Sequence, residues 1–442
     1  MEQKREQWGS RWGFILAAMG SAVGLGNIWR FSYAMGDGGG SAFLIIYLLS
    51  VLLIGFPVML IEFSIGRRAQ TDAVDAFKKI APKTGWVVAG GMGVLAAFLI
   101  LSFYGVIGGW SLRYTMAYVT GGITGDSSEF FGGFISSAVS PVLWQFLFMA
   151  ITIAIVYLGV QKGIELSSKW MMPILSILLV LLAVYSLTLG GAQEAFAFMF
   201  QPDWEAFTDP SVYISAMGQA FFTLSLGMGA MLTYASYLDP SARLTSSAAI
   251  IIGLDTLFAL VAGLVIFPAL FAFGLDPAEG PGLVFVVLPN IFEALGGVGA
   301  LVGFAFFLLL SMAAISSAIS LLEVAVAYFI RKLNMSRKKV TLIVGLIIFL
   351  LGVPSSLSQG AVEITIFGAS FLDFMDAFTG NLLLPLGGLI MVLFVGWTWT
   401  KKEVLHHGDI EDNAFGPAYL LTAKFVAPIA ILFVLIIGLI NW

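Results

Sequence analysis

Apolar residues run in long blocks separated by short polar connections along the whole 442-residue chain. Blocks near 13–37, 41–66, 86–119, 141–160, 166–190, 213–237, 245–274, 298–330, 339–353, 370–399 and 417–441 are each about long enough to cross a bilayer. The pattern predicts an all-α polytopic membrane protein with eleven transmembrane helices, forming a single domain over 1–442. The first block, preceded by Lys4, Arg5 and Arg11, has the outline of a secretory leader. It runs past Gly26 into Ile28, Trp29 and Phe31, and equally apolar blocks follow, so it reads as a retained span.

The polar connections supply an independent count. With the N-terminus inside, the inside segments hold 19 of the 21 basic residues, in groups such as Arg67, Arg68, Lys78, Lys79 and Lys83, or Arg331, Lys332, Arg337, Lys338 and Lys339. The two exceptions, Arg30 and Arg113, sit toward outer span ends. This alternation follows the positive-inside rule and would collapse with one span missed. It predicts a multi-pass protein of the plasma (inner) membrane with a cytoplasmic N-terminus and an extracellular C-terminus. Outer connections 120–140 and 275–297 are long, free of basic residues and rich in aromatics, which predicts packed lids. The inside segment 67–85 reads as a short surface helix ending before Pro82.

Composition sharpens this picture. Hydrophobic residues make up 59% of the chain and charged residues 11%, with mean hydropathy +0.98. Too little polar surface remains to cover a water-soluble globule, and lipid is the surrounding solvent. No nucleic-acid partner and no obligatory protein partner is indicated. Absence of cysteine removes disulfides, thiol nucleophiles and sulfur-ligated metals. The only histidines, His406 and His407, sit together in a polar connection.

Two spans carry glycine clusters in mid-membrane. The first reads Gly20-Ser21-Ala22-Val23-Gly24-Leu25-Gly26-Asn27 and the sixth reads Thr223-Leu224-Ser225-Leu226-Gly227-Met228-Gly229. Glycines alone also serve close helix packing, with Gly20 and Gly24 as a small-xxx-small pair. Asn27 and Arg30 tip the balance, because polar groups in hydrocarbon need a cavity or a partner. The clusters lie five spans apart, an odd number that makes the second half inverted relative to the first. Paired discontinuous helices in inverted repeats place a solute site at the repeat interface. Further buried polar candidates are Glu62, Asp255, Ser316, Ser317, Glu323 and Asp376.

The run Trp8-Gly9-Ser10-Arg11 followed by GSAVGLGNIWRF resembles the first-helix signature of the neurotransmitter:sodium symporter family. QAFFTLSLGMGAMLTYASY at 219–237, AAISSAISLLE at 313–323 and LDFMDAFTG at 372–380 extend the similarity along the chain. Short bacterial members that carry hydrophobic amino acids also end after eleven helices. The resemblance implies the LeuT fold, with 13–190 and 213–399 as inverted five-helix repeats and 417–441 as an additional helix. It implies two Na+ ions: one held by Ala22, Asn27, Thr223, Asp255 and the substrate carboxylate, the other by Gly20, Val23, Ala313, Ser316 and Ser317. The carboxylate would also meet Tyr104 and amides near Leu25 and Gly26. Ile100, Tyr104, Phe222, Ser225, Met228, Ser317 and Leu321 would line the side-chain subsite, with Ala22 and Thr223 beside it. That lining suits a neutral hydrophobic or aromatic L-amino acid, since Met19 and Ser21 stand where amine-carrying members have an acid.

Three departures from the family pattern carry expectations. Asp255 replaces a common asparagine and would supply the negative charge that chloride brings elsewhere, predicting chloride independence. Arg30 and Asp376 match the outer gate pair, with Tyr104 and Phe222 as its aromatic lid. Arg5 is present for the inner gate, but Arg331 occupies its usual acidic partner's place, so Glu323, Tyr237 and Trp8 are expected to close that side. Met228, between two glycines where relatives carry an aromatic, would leave room for large side chains.

The function indicated is sodium-coupled import by alternating access. The alternatives are a non-transporting membrane sensor or an ion channel of the same fold; a channel would need a continuous polar lining. An intramembrane hydrolase would have only Asp373 and Asp376 to work with, one turn apart near the outer end, so an enzyme is not expected.

Overall fold

The computed structural model describes residues 6–123, 125–278, 283–410 and 415–440. Among them nine helices are long and apolar enough to cross a membrane: Ser41–Ala69, Val87–Val119, Ser140–Tyr157, Val160–Leu187, Leu244–Ala272, Gly296–Leu333, Arg337–Leu357, Phe371–Thr398 and Gly416–Gly438. Two broken spans complete the eleven. The first is Arg11–Ala22 followed by Gly26–Asp37, bent by 46°. The sixth is Pro210–Thr223 and Ala230–Ala235, joined by a non-helical stretch at 224–229.

Helix starts and stops follow local chemistry. Ser10 opens the first span by accepting the Gly13 amide, satisfying one of the donors a helix start leaves free. Gln70 and Asn334 end the second and eighth spans in left-handed backbone. The third and eighth spans, 33 and 35 residues in their regular parts, form the most extensive helix pair and run through the centre. At 1.5 Å per residue each is about 50 Å long, well beyond a hydrocarbon core of about 30 Å. The fourth, fifth and eleventh spans bury only 33% of their apolar window against protein, compared with 67% for the second. They form the lipid-facing rim, where leucine and phenylalanine meet a solvent as apolar as themselves.

The connections hold more structure than the sequence pattern indicates. Connection 67–85 contains helix Ala73–Ile80, capped by the Asp72 carboxylate and ending at Ala81, before Pro82. The 120–140 connection carries Ser127–Ile135 and the 275–297 connection carries Val287–Ala294. Phe130 and Phe131 of the first and Phe285 of the second pack around Tyr114, forming an aromatic cover at one end of the bundle. Helix Ala192–Phe200 and the two-residue strands Thr365–Ile366 and Ala369–Ser370 have no counterpart in the hydropathy pattern. His406 and His407 lie in a capped helix, Lys401–Gly408, closed by a Thr400–Glu403 capping box.

Candidate functional site

Each break is fixed by backbone that a continuous helix cannot adopt. In the first span Val23 turns to φ −72°, ψ 100°, and a π-helical turn, Gly26–Arg30, resumes the chain. In the sixth span Ser225, Gly227 and Gly229 all hold positive φ, at 53°, 78° and 72°. A Cβ on Gly227 would lie 2.3 Å from the Leu384 carbonyl, so close approach and conformation both require glycine there. Wholly buried Glu62, from the second span, accepts the Gly227 amide at 2.8 Å and the Leu232 amide at 3.2 Å. Its carboxylate supplies partners to amides that lost their helical acceptors.

Two oxygen-rich clusters flank the first break. At one, Ser316 Oγ donates to Ala313 O at 2.8 Å and lies 3.3 Å from Val23 O. Beside it, Ser317 Oγ lies 3.0 Å from Ser21 O and 3.4 Å from Gly20 O. At the other, Asn27 Nδ2 donates to Asp255 Oδ1 at 2.8 Å, and Thr223 Oγ1 lies 3.2 Å from both Asp255 carboxylate oxygens. Asp255 is 0% exposed, and none of the ion pairs among the described residues includes it. A carboxyl so buried is either protonated or paired with a compensating charge, and a bound cation would supply the second. Donor sets made only of carbonyl, hydroxyl and carboxylate oxygens suit a hard cation. Groups of histidine, cysteine or acids that would hold a transition metal are absent among the described residues.

Between the breaks lies a small cavity of about 20 Å³ lined by Ser21, Ala22, Gly24, Gly26, Ile100, Tyr104, Phe222, Ser225, Met228, Ser317 and Leu321. That is room for little more than a water molecule, so the lining is closed in this conformation and must part to admit a solute. Leu25 and Thr223 stand behind this lining: the Leu25 amide donates to Tyr104 Oη at 3.1 Å, and Thr223 faces Asp255. Ser21, Gly24 and Ser320 are additions that sequence reasoning missed. Ser21 Oγ lies 2.7 Å from Ser320 Oγ, and Ser225 Oγ donates to Ser21 O at 2.8 Å. A larger groove of about 580 Å³, between the fourth and ninth spans, is lined by apolar side chains and Tyr157 on the lipid-facing rim. It brings together no group able to fix a charged solute.

At the end of the bundle opposite the N-terminus, Arg30 lays its guanidinium 4.6 Å from the centroid of the Phe222 ring, which itself lines the cavity. No ion pair within 4.0 Å joins Arg30 to Asp376 among the described residues. At the N-terminal end, Arg5 lies outside the described residues. Trp8 donates through Nε1 to Tyr234 O at 2.8 Å and through its amide to Tyr237 O. Tyr237 Oη donates to Glu323 Oε1 at 2.5 Å, and Arg337 pairs with the same carboxylate. Arg331 turns away to Asp72 and Asp75, at 3.4 and 3.3 Å. Burial pushes the Asp72 carboxyl above its ordinary range, while amide hydrogen bonds and Arg331 pull against it.

Comparison with known proteins gives this arrangement its relatives. The pattern of the Sodium:neurotransmitter symporter family matches residues 5–128 and 136–442. The sodium-dependent transporter YhdH of Bacillus subtilis (strain 168) is 43% identical over 451 residues, covering 100% of both chains. A sodium-dependent transporter of Haemophilus influenzae is 36% identical over 453 residues, covering 99% of each. The crystal structure of MhsT in complex with L-phenylalanine is 56% identical, with a TM-score of 0.94 over 98% of this chain and 100% of that one. Paired helix breaks, inverted halves and full-length similarity converge: the chain belongs to the sodium:neurotransmitter symporter family and is a sodium-dependent, multi-pass membrane transporter with the LeuT fold.

Proposed function

We propose that the protein imports a neutral hydrophobic or aromatic L-amino acid across the plasma membrane, driven by two sodium ions and independent of chloride. The N-terminus is cytoplasmic in this reading and the C-terminus extracellular. The observation that carries it is the cavity between the two breaks, whose side-chain walls are Ile100, Phe222, Met228 and Leu321, with no ionisable side chain except the Tyr104 phenol. An amino acid's zwitterionic head needs charge partners that the walls do not supply. Tyr104 Oη and a cation held by Ala22, Asn27, Thr223 and Asp255 would meet its carboxylate. Free carbonyls and the serine hydroxyls would meet its ammonium. The MhsT complex contains L-phenylalanine, in keeping with an apolar side-chain subsite.

The cycle follows from this placement. Sodium at Gly20, Val23, Ala313, Ser316 and Ser317 ties the first span to the eighth, holding the inner side closed while the outer side admits solute. The solute's carboxylate then completes the other sodium shell. Phe222 and Tyr104 shut over it, with Arg30 and Asp376 above as the outer gate. Loss of the sodium that ties the first and eighth spans frees the inner half of the first span to swing out. Asp255 contributes its own negative charge beside the cation, the role that makes an external anion dispensable.

Uptake of labelled leucine, phenylalanine, tyrosine and tryptophan into proteoliposomes with an inward sodium gradient tests the reading. Accumulation is expected with sodium and with either chloride or gluconate outside. Equal uptake after potassium replaces sodium would overturn the coupling, and loss of uptake in gluconate would overturn the chloride statement.

A further inference from the structure

The family's inner gate joins an N-terminal arginine to an acid on the eighth span, and this chain cannot repeat that pair. The acid's place is taken by Arg331, which is engaged by Asp72 and Asp75 on the second-to-third connection. A different cation stands at the inner face. Arg337, first residue of the ninth span, donates from Nη1 and Nη2 to Glu323 Oε2 and Oε1 at 2.6 and 2.9 Å. Its Nε lies 3.1 Å from Glu6 Oε1 in the N-terminal segment. The other Glu6 oxygen accepts the Val160 amide at 2.6 Å, and a Cβ on Gly159 would come within 3.0 Å of the Glu6 carboxylate.

We propose that Arg337 is the cation of an inner gate with inverted polarity, in which the acid, Glu6, is supplied by the moving N-terminal segment and the arginine by the stationary ninth span. The proposal rests on the importer reading above. Exposure divides the roles of the three side chains: Glu323 is 0% exposed, Arg337 14% and Glu6 41%. The Arg337–Glu323 pair is bidentate and buried, and it holds the cation in position. Glu6 is the half-exposed partner, cheap to release and to recapture. Tyr237 at the base of the sixth span hydrogen-bonds the same Glu323 carboxylate, so one guanidinium ties together the elements that must part when the inner side opens. Glu165 reinforces the hold a few residues on, accepting the Gly9 amide at 2.7 Å, with Lys169 2.7 Å from its other oxygen.

The chain contains no cysteine, so a single introduced thiol reports on the inner pathway without background. Ala18→Cys, at a fully buried position in the inner half of the first span, is labelled with a maleimide in nanodiscs containing sodium and no amino acid. Glu6→Gln is expected to raise the labelling rate roughly threefold to fivefold, the scale set by a half-exposed pair and one charge-assisted hydrogen bond. Glu6→Asp is expected to restore most of the parental rate. Arg337→Gln made together with Glu323→Gln, which leaves no lone buried charge, is expected to give a similar rise that adding Glu6→Gln does not increase. An unchanged rate in Glu6→Gln, or a rise that adds to that of the double variant, would overturn the proposal. A second reporter, Ala17→Cys, covers failure of the first to fold. Labelling needs no solute, so a failure of the uptake experiment and a failure of this one are separable.

Discussion

Asp255 concentrates the electrostatics of the site at one residue: a fully buried carboxylate whose partners within hydrogen-bonding distance are Asn27 and Thr223, both neutral. Asp255→Asn keeps the shape and removes the charge, and the half-saturating sodium concentration for uptake is expected to rise about tenfold or more. Unchanged sodium affinity would remove Asp255 from the cation's shell. Met228 lines the cavity, and in the proposed reading it limits the size of the side chain accepted. Met228→Phe is expected to weaken tryptophan's competition against labelled leucine roughly tenfold, a scale typical of steric discrimination in apolar pockets. Equal losses for both solutes would count against a size filter. Most cavity residues were legible at this scale because a long motif carries them. Ser21 and Ser320 were not, since serine in a membrane helix gives the same sequence signal whether it bonds its own backbone or a neighbouring helix.

Among elements, the unwound stretch of the sixth span is the most constrained. Gly227→Ala places a Cβ against the Leu384 carbonyl in left-handed backbone, and a loss of roughly 3 kcal/mol is expected. It is measurable as a fall in the thermal midpoint of purified protein. Gly253→Ala is the control: no atom lies within 4 Å of its Cβ, and the seventh span should gain slightly from the better helix former. A midpoint unchanged by Gly227→Ala would mean that the stretch adapts. Hydropathy gave the spans with little error because lipid imposes one rule on all of them. It shortened the ninth span, which runs to Leu357, because Gly352, Pro354, Ser355 and Ser356 lower the local average inside a continuous helix. Helix Ala192–Phe200 was illegible for the opposite reason: nine residues are too few for a membrane signal.

For the molecule as a whole, the proposed reading assigns one ion to each of the two oxygen clusters. Each sodium descending a tenfold gradient and a 100 mV potential releases about 3.7 kcal/mol. Two ions could then support accumulation of about 10⁵-fold, against about 500-fold for one. Uptake plotted against sodium concentration is expected to be sigmoidal with a Hill coefficient near 2, and a hyperbolic curve would leave one cluster without an ion.

The backbone at Ser225, Gly227 and Gly229 has a mechanical consequence. A helix that melts and reforms would behave as a hinge, soft at its centre. Here alternate left-handed residues and the Glu62 carboxylate, bonded to amides on both sides of Met228, make the sixth span a braced elbow. Force applied at either end is transmitted through such an elbow rather than absorbed by it. In the proposed cycle, closing over the solute at one face would lever the other face.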